Sequence, residues 1–145
     1  DPHDIFHGRS TLSIPFNQQN RLMVCGSAYA YAGNWGYSWS EIQIKFKNNF
    51  EYNAKTDWLK LYFDKPNFGD ENGKDLFITQ FINALIVQDL EREKGFVAVK
   101  ELLASGNMYK NEDYFFKKLE ELTAINKSNF NKKVGKLIEE AMRNI

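Results

Sequence analysis

From Asp75 to the last residue, apolar side chains recur at steps of three and four, and no stretch alternates strictly between apolar and polar. A helix satisfies that period and a half-buried strand does not. Leu76, Phe77, Phe81, Leu85 and Leu90 predict one long amphipathic helix, broken at Gly95. The stretch "FVAVKELLAS" predicts a shorter helix stopped by Gly106. Acidic residues open "NEDYFFKKLEELTAI", where they favour a helix N-terminus. In "KSNFNKKVGKLIEEAMRNI" the residues Phe130, Val134, Leu137, Ile138 and Met142 share one face of a closing helix.

The first half reads less sharply. The small-residue and aromatic stretch "MVCGSAYAYAGNWG" predicts a helix over roughly 25–32, ended by Gly33, then a loop through Gly36. Ser38 followed by Glu41 has the capping-box spacing, and Trp39, Ile42, Phe46 and Phe50 continue at helical steps. A further helix in "NAKTDWLKLYF" would take Thr56 as its cap and put Trp58, Leu59, Leu61, Tyr62 and Phe63 in the core. Residues 10–20 and 64–74 carry the Pro, Asn and Gly of loops, and residues 2–11 suit a short helix or the end of a longer one. The expected fold class is all-α. A single helical domain would span 1–145, with candidate metal-site helices and a loop in 1–50 and a helical bundle in 51–145.

At 145 residues and 43% apolar content the chain can bury a real core. Lys+Arg and Asp+Glu both number 19, so nothing in the charge balance points to nucleic acid or an acidic membrane. The longest apolar run, "FINALIV", falls far short of the roughly 18 residues of a membrane span. One cysteine, Cys25, cannot close an internal disulfide and leaves the compartment open.

The chemistry-bearing signal is "HDIFH". On a helix His3 and His7, at i and i+4, share a face and can reach one ion, while Asp4 lies beside them. This is the logic of H-E-x-x-H with Asp in place of Glu. The pair alone suits equally two histidines that satisfy caps or solvent near a terminus. Eighteen residues after His7 comes "CGSAYAYAG". There Gly26 and Ala28 keep the frame Glu-Gly-x-Ala-x-Tyr, with Cys25 in the place of the Glu and Tyr29 one residue before the place of the Tyr.

"HDIFH", then "CGSAYAYAG", then the helical tail from "FITQFINALIVQDLEREKGFVAVKELLASG" onward together resemble the thermolysin-like, peptidase MA-like gluzincin superfamily of zinc metallopeptidases. The resemblance spans nearly the whole chain through loose motifs held in order. It implies the C-terminal helical half of such a domain, zinc as cofactor, and a peptide or protein substrate. By position His3, His7 and Cys25 would be the metal ligands and Asp4 the catalytic base, with Tyr29 and Tyr31 near the site; Tyr29, Tyr31 and Trp35 of the aromatic stretch are the candidate substrate-binding residues. It implies too an upstream β-sheet lobe of the same protein, absent from a chain that starts two residues before His3, and export to a bacterial periplasm or cell surface. Two departures predict a degenerate, inactive form. The Asp4 carboxylate stands back by about 1–1.5 Å relative to Glu, and a misplacement near 1 Å can cost roughly a hundredfold in rate. Cys25 replaces a carboxylate; a thiolate binds zinc well but donates more charge to it. The alternative function is a non-catalytic peptide- or glycan-binding or scaffold domain derived from that fold.

Other acids compete for the third ligand position. Glu41 has the more economical explanation of a capping-box partner, and Asp57 and Asp64 lack a supporting frame. The aromatics of "YAYAGNWGYSW" can line a peptide or carbohydrate groove, although core packing plus a turn explains them more simply. "GNWG" lacks the Lys-Ser/Thr of a phosphate loop, and the Lys pairs at 117–118 and 132–133 read as solvated helix faces.

Overall fold

The computed structural model describes residues 14–69 and 76–145. Over these residues the fold is all-α. A 3₁₀ turn (Phe16–Gln18) precedes α1 (Arg21–Tyr31), α2 (Trp39–Asn49), α3 (Trp58–Asp64), α4 (Ile78–Lys94), α5 (Phe96–Leu103), α6 (Glu112–Thr123) and α7 (Phe130–Arg143). Two isolated β-bridges, Asn34 with Tyr37 and Asn67 with Phe77, fasten turns, and no strand forms among the described residues. None of the described helices is long and apolar enough to cross a membrane.

The organising element is α4, which packs against α1, α3, α5, α6 and α7. Every residue from Phe81 to Val87 is buried, close to two full turns. Spacing alone predicted an amphipathic helix here. A helix with partners on all sides has no solvent face to keep polar, so its apolar positions run together. Its start also differs from expectation. Leu76 and Phe77 precede the helix because their backbone is engaged in pairing: Phe68 N–H donates to the Leu76 carbonyl at 2.7 Å, and Ile78 N–H to that of Pro66 at 3.0 Å.

The seam between α1 and α4 is unusually close. A Cβ at Gly26 would lie 2.4 Å from the Asn83 Cβ and 2.8 Å from the Gln80 carbonyl oxygen, so only glycine permits the approach. Polar atoms trapped near this seam are satisfied. The Tyr62 hydroxyl donates to Asn83 Oδ1, Asn83 Nδ2 donates to the Leu22 carbonyl at 3.2 Å, and Thr79 Oγ1 donates to the Tyr62 carbonyl at 2.7 Å. These bonds tie α1, α3 and α4 at one level, and leaving any of them unmade in a dry interior would cost about 1–3 kcal/mol.

Local caps set the remaining boundaries. Helix α1 starts earlier than its apolar spacing suggested because Asn20 caps it, Oδ1 accepting from Met23 N–H at 3.0 Å. Asn20 also ties that end to the end of α5: its N–H donates to the Leu103 carbonyl at 2.7 Å and its Nδ2 to Ser105 Oγ at 3.1 Å. For α2 the capping box forms as the sequence predicts, with Glu41 N–H on Ser38 Oγ and Ser38 N–H on Glu41 Oε1, both at 3.2 Å. In α3 the cap is Asp57, which accepts from Lys60 N–H at 3.2 Å. Thr56, expected in that role, closes the preceding turn instead, its Oγ1 accepting from Asn53 N–H at 2.8 Å.

One apolar core runs through all seven helices. At its centre Phe46 stacks on Phe81 with centroids 4.2 Å apart, and Phe68 meets Phe46 edge-on at 5.4 Å. From α7 the core receives Phe130, Val134, Ile138 and Met142, each worth roughly 1.5–3 kcal/mol of burial.

Candidate functional site

His3, Asp4 and His7 lie outside the described residues. The part of the candidate site that can be placed is the stretch from Cys25 to Trp35, on α1 and the turn after it.

Helix α1 turns Met23, Val24, Gly26, Ser27, Ala28 and Tyr29 into the protein. Cys25 is on the flank of that face and is half-buried. Burial pushes its thiol above the ordinary range, and the charge of Arg21, one turn earlier, pulls it back in part. The frame therefore divides: Gly26 and Ala28 serve helix packing, while the Cys25 sulfur stands at the edge. A sulfur donor in that position suits zinc by its chemistry. The raised thiol must lose its proton when it ligates.

The three aromatic candidates separate. Tyr29 is buried completely, and its hydroxyl accepts from Phe77 N–H at 3.3 Å. A substrate-binding role for Tyr29 is thus corrected: its ring fills the core, because it follows Cys25 by a full turn on the inward side. Tyr31 is exposed, donates its hydroxyl to the Glu91 carboxylate on α4, and meets Phe96 edge-on at 6.1 Å. Trp35 is 52% exposed. It sits at the tip of a two-residue turn in which Asn34 N–H reaches the Tyr37 carbonyl at 3.0 Å and Tyr37 N–H returns to that of Asn34 at 2.8 Å. A turn of the I′ type has positive φ at both central residues. Gly36 (φ 79°) adopts it readily, and Trp35 (φ 54°) does so as a non-glycine residue. Tyr31 and Trp35 remain at the surface as candidate contacts.

The competing acids have structural occupations. Glu41 completes the capping box. Asp57 caps α3 and also accepts from Asn131 Nδ2 at 3.2 Å, while Asp64 pairs with Lys60 at 3.5 Å. Among the described residues no group of three or more His, Cys, Asp and Glu side chains gathers to hold a metal. The sequence pattern did not single out Asn20, which ties the start of α1 to the end of α5, or Asn83, which ties α4 to the Leu22 carbonyl of α1. Asn20 had a signal, as an N-cap residue just before an apolar run; Asn83, in the middle of a helix, had none.

Comparison of the chain with protein-family models, with curated proteins and with solved structures finds no match in any of the three.

Proposed function

We propose that the chain is the helical half of a gluzincin-like zinc metallopeptidase domain in a degenerate form. The observation that carries this reading is the placement of Cys25. In the position of the family's third ligand, its side chain stands at the edge of α1 while the next residue, Gly26, is locked against α4. A ligand-bearing helix needs this division between a packed face and a donor on its flank. His3, His7 and Cys25 would hold the ion, which supplies Lewis acidity toward a peptide carbonyl. Asp4 would take up the proton, from a carboxylate set back by one methylene, so peptide hydrolysis is expected to be weak or absent. Purified protein analysed for metal by mass spectrometry should contain about one zinc per chain, and both His3→Ala and Cys25→Ala should lose it. No zinc after supply of the metal sinks the reading.

The exposure of Tyr31 and Trp35 favours a second reading, a non-catalytic peptide- or glycan-binding domain derived from the same fold. Under it His7→Ala leaves binding intact, and Tyr31→Ala with Trp35→Ala removes it.

A further inference from the structure

On the side of the molecule formed by α3 and α7, a recess of about 320 Å³ opens between the loop after α2 and the middle of α7. Tyr52, Trp58, Asn131, Gly135, Lys136 and Glu139 line it. Trp58 is 3% exposed, yet its indole N–H has no hydrogen bond among the described residues. No described side-chain N or O atom is both sealed and unpartnered, so this N–H keeps contact with the space in front of it. Residue 135 borders that space as a glycine: a Cβ there would stand 3.4 Å from the indole nitrogen and 3.6 Å from Cδ1, against that edge of the ring and inside the recess. Glycine inside a 14-residue helix is unfavourable relative to alanine. Neither a turn nor a close backbone approach at 135 requires it, since those distances are ordinary van der Waals contact.

The walls are fixed. Asn131 is held by Leu59 N–H on its Oδ1 at 2.7 Å and by its own bond to Asp57. Tyr52 stacks on Phe46 at 5.7 Å and tilts against Trp58 at 5.7 Å. The recess thus offers a preset N–H donor, the Glu139 carboxylate as acceptor, the Lys136 ammonium and an aromatic side chain. A hydroxyl can both accept from the indole and donate to the carboxylate, and a sugar ring adds a C–H face for the tyrosine. The volume lies at the lower end of ligand pockets, roughly 300–1,000 Å³.

We propose that the Trp58–Gly135 recess is a binding site for a single sugar ring. The site is separate from the metal reading and does not rest on it. The chain has three tryptophans, so ¹H–¹⁵N spectra of the labelled protein carry three indole signals. Trp35→Phe and Trp39→Phe assign the third to Trp58 by elimination, with its core position untouched. Glucose, N-acetylglucosamine and glucuronic acid are titrated as probes, with acetate as the control for charge. At least one sugar should shift the Trp58 indole signal to saturation and leave the other two in place. Gly135→Ala should fold with an unchanged or higher Tm and bind that sugar at least tenfold more weakly. Three sugars that leave the Trp58 signal unmoved overturn the proposal. So does a Gly135→Ala protein that binds as tightly as the parent, and so does an acetate shift equal to that of glucuronic acid.

Discussion

At the scale of single residues, three positions decide most. Gly26 and Gly135 are both helical glycines, yet their surroundings give opposite signs. Gly26→Ala drives a methyl into Asn83 and the α4 backbone and should destabilise the fold by about 1–3 kcal/mol or more in urea titration. Gly135→Ala meets only ordinary contacts and should stabilise it by about 0.5–1 kcal/mol in the same assay. If both variants shift the midpoint the same way, the geometry around one of them is wrong. Cys25 has a pH signature. Its thiol is raised mainly by burial, so under the proposed zinc reading ligation would release a proton, and zinc should bind more tightly at pH 8 than at pH 6. Competition with a chelator of known affinity at the two pH values reads this.

Among the helices, what could be read in advance followed where the determinants sit. All of the signal for α2 is local: Ser38, Glu41 and the apolar step to Ile42 and Phe46 lie within one short segment, and the helix forms where they place it. Ser38→Ala should cost about 1 kcal/mol, measured by chemical denaturation, with α2 amides losing exchange protection first. The burial of α4 on all sides was not legible, because it depends on five partners, four of them separated from it in sequence. The boundary of α3 moved by one residue because two neighbouring side chains, Thr56 and Asp57, can both cap, and the turn before the helix claimed the first. The candidate metal site was proposed as a motif, His3-Asp4-His7 with Cys25, from short spacings, and its first three residues lie outside the described residues. The Trp58–Gly135 recess was not legible, because its two walls, residues 52–58 and 131–139, lie far apart in sequence.

For the molecule as a whole, two tyrosines set a limit on the alkaline side. Tyr62 is fully buried with its phenol held well above the usual range, chiefly by burial, and Tyr109, itself exposed at 38%, is raised to about 12, chiefly by partial desolvation. The unfolded chain releases these protons near pH 10 while the native protein keeps them, so stability must fall as pH rises through and beyond that value. Urea midpoints between pH 9 and 11 should decline, and Tyr62→Phe should flatten the decline while lowering stability at neutral pH through the loss of its bond to Asn83. An equal slope in both proteins would show that Tyr62 ionises freely in the native state.

The Asn83 bond to the Leu22 carbonyl joins residues 61 apart in sequence at the tightest point of the seam, where Gly26 leaves α1 no room to roll or slide. Partial opening therefore has no intermediate resting position: the two helices separate together or stay together. Their central amides should exchange with deuterium at one common rate, the slowest in the protein, and a flank residue such as Cys25 inherits the immobility of the pair.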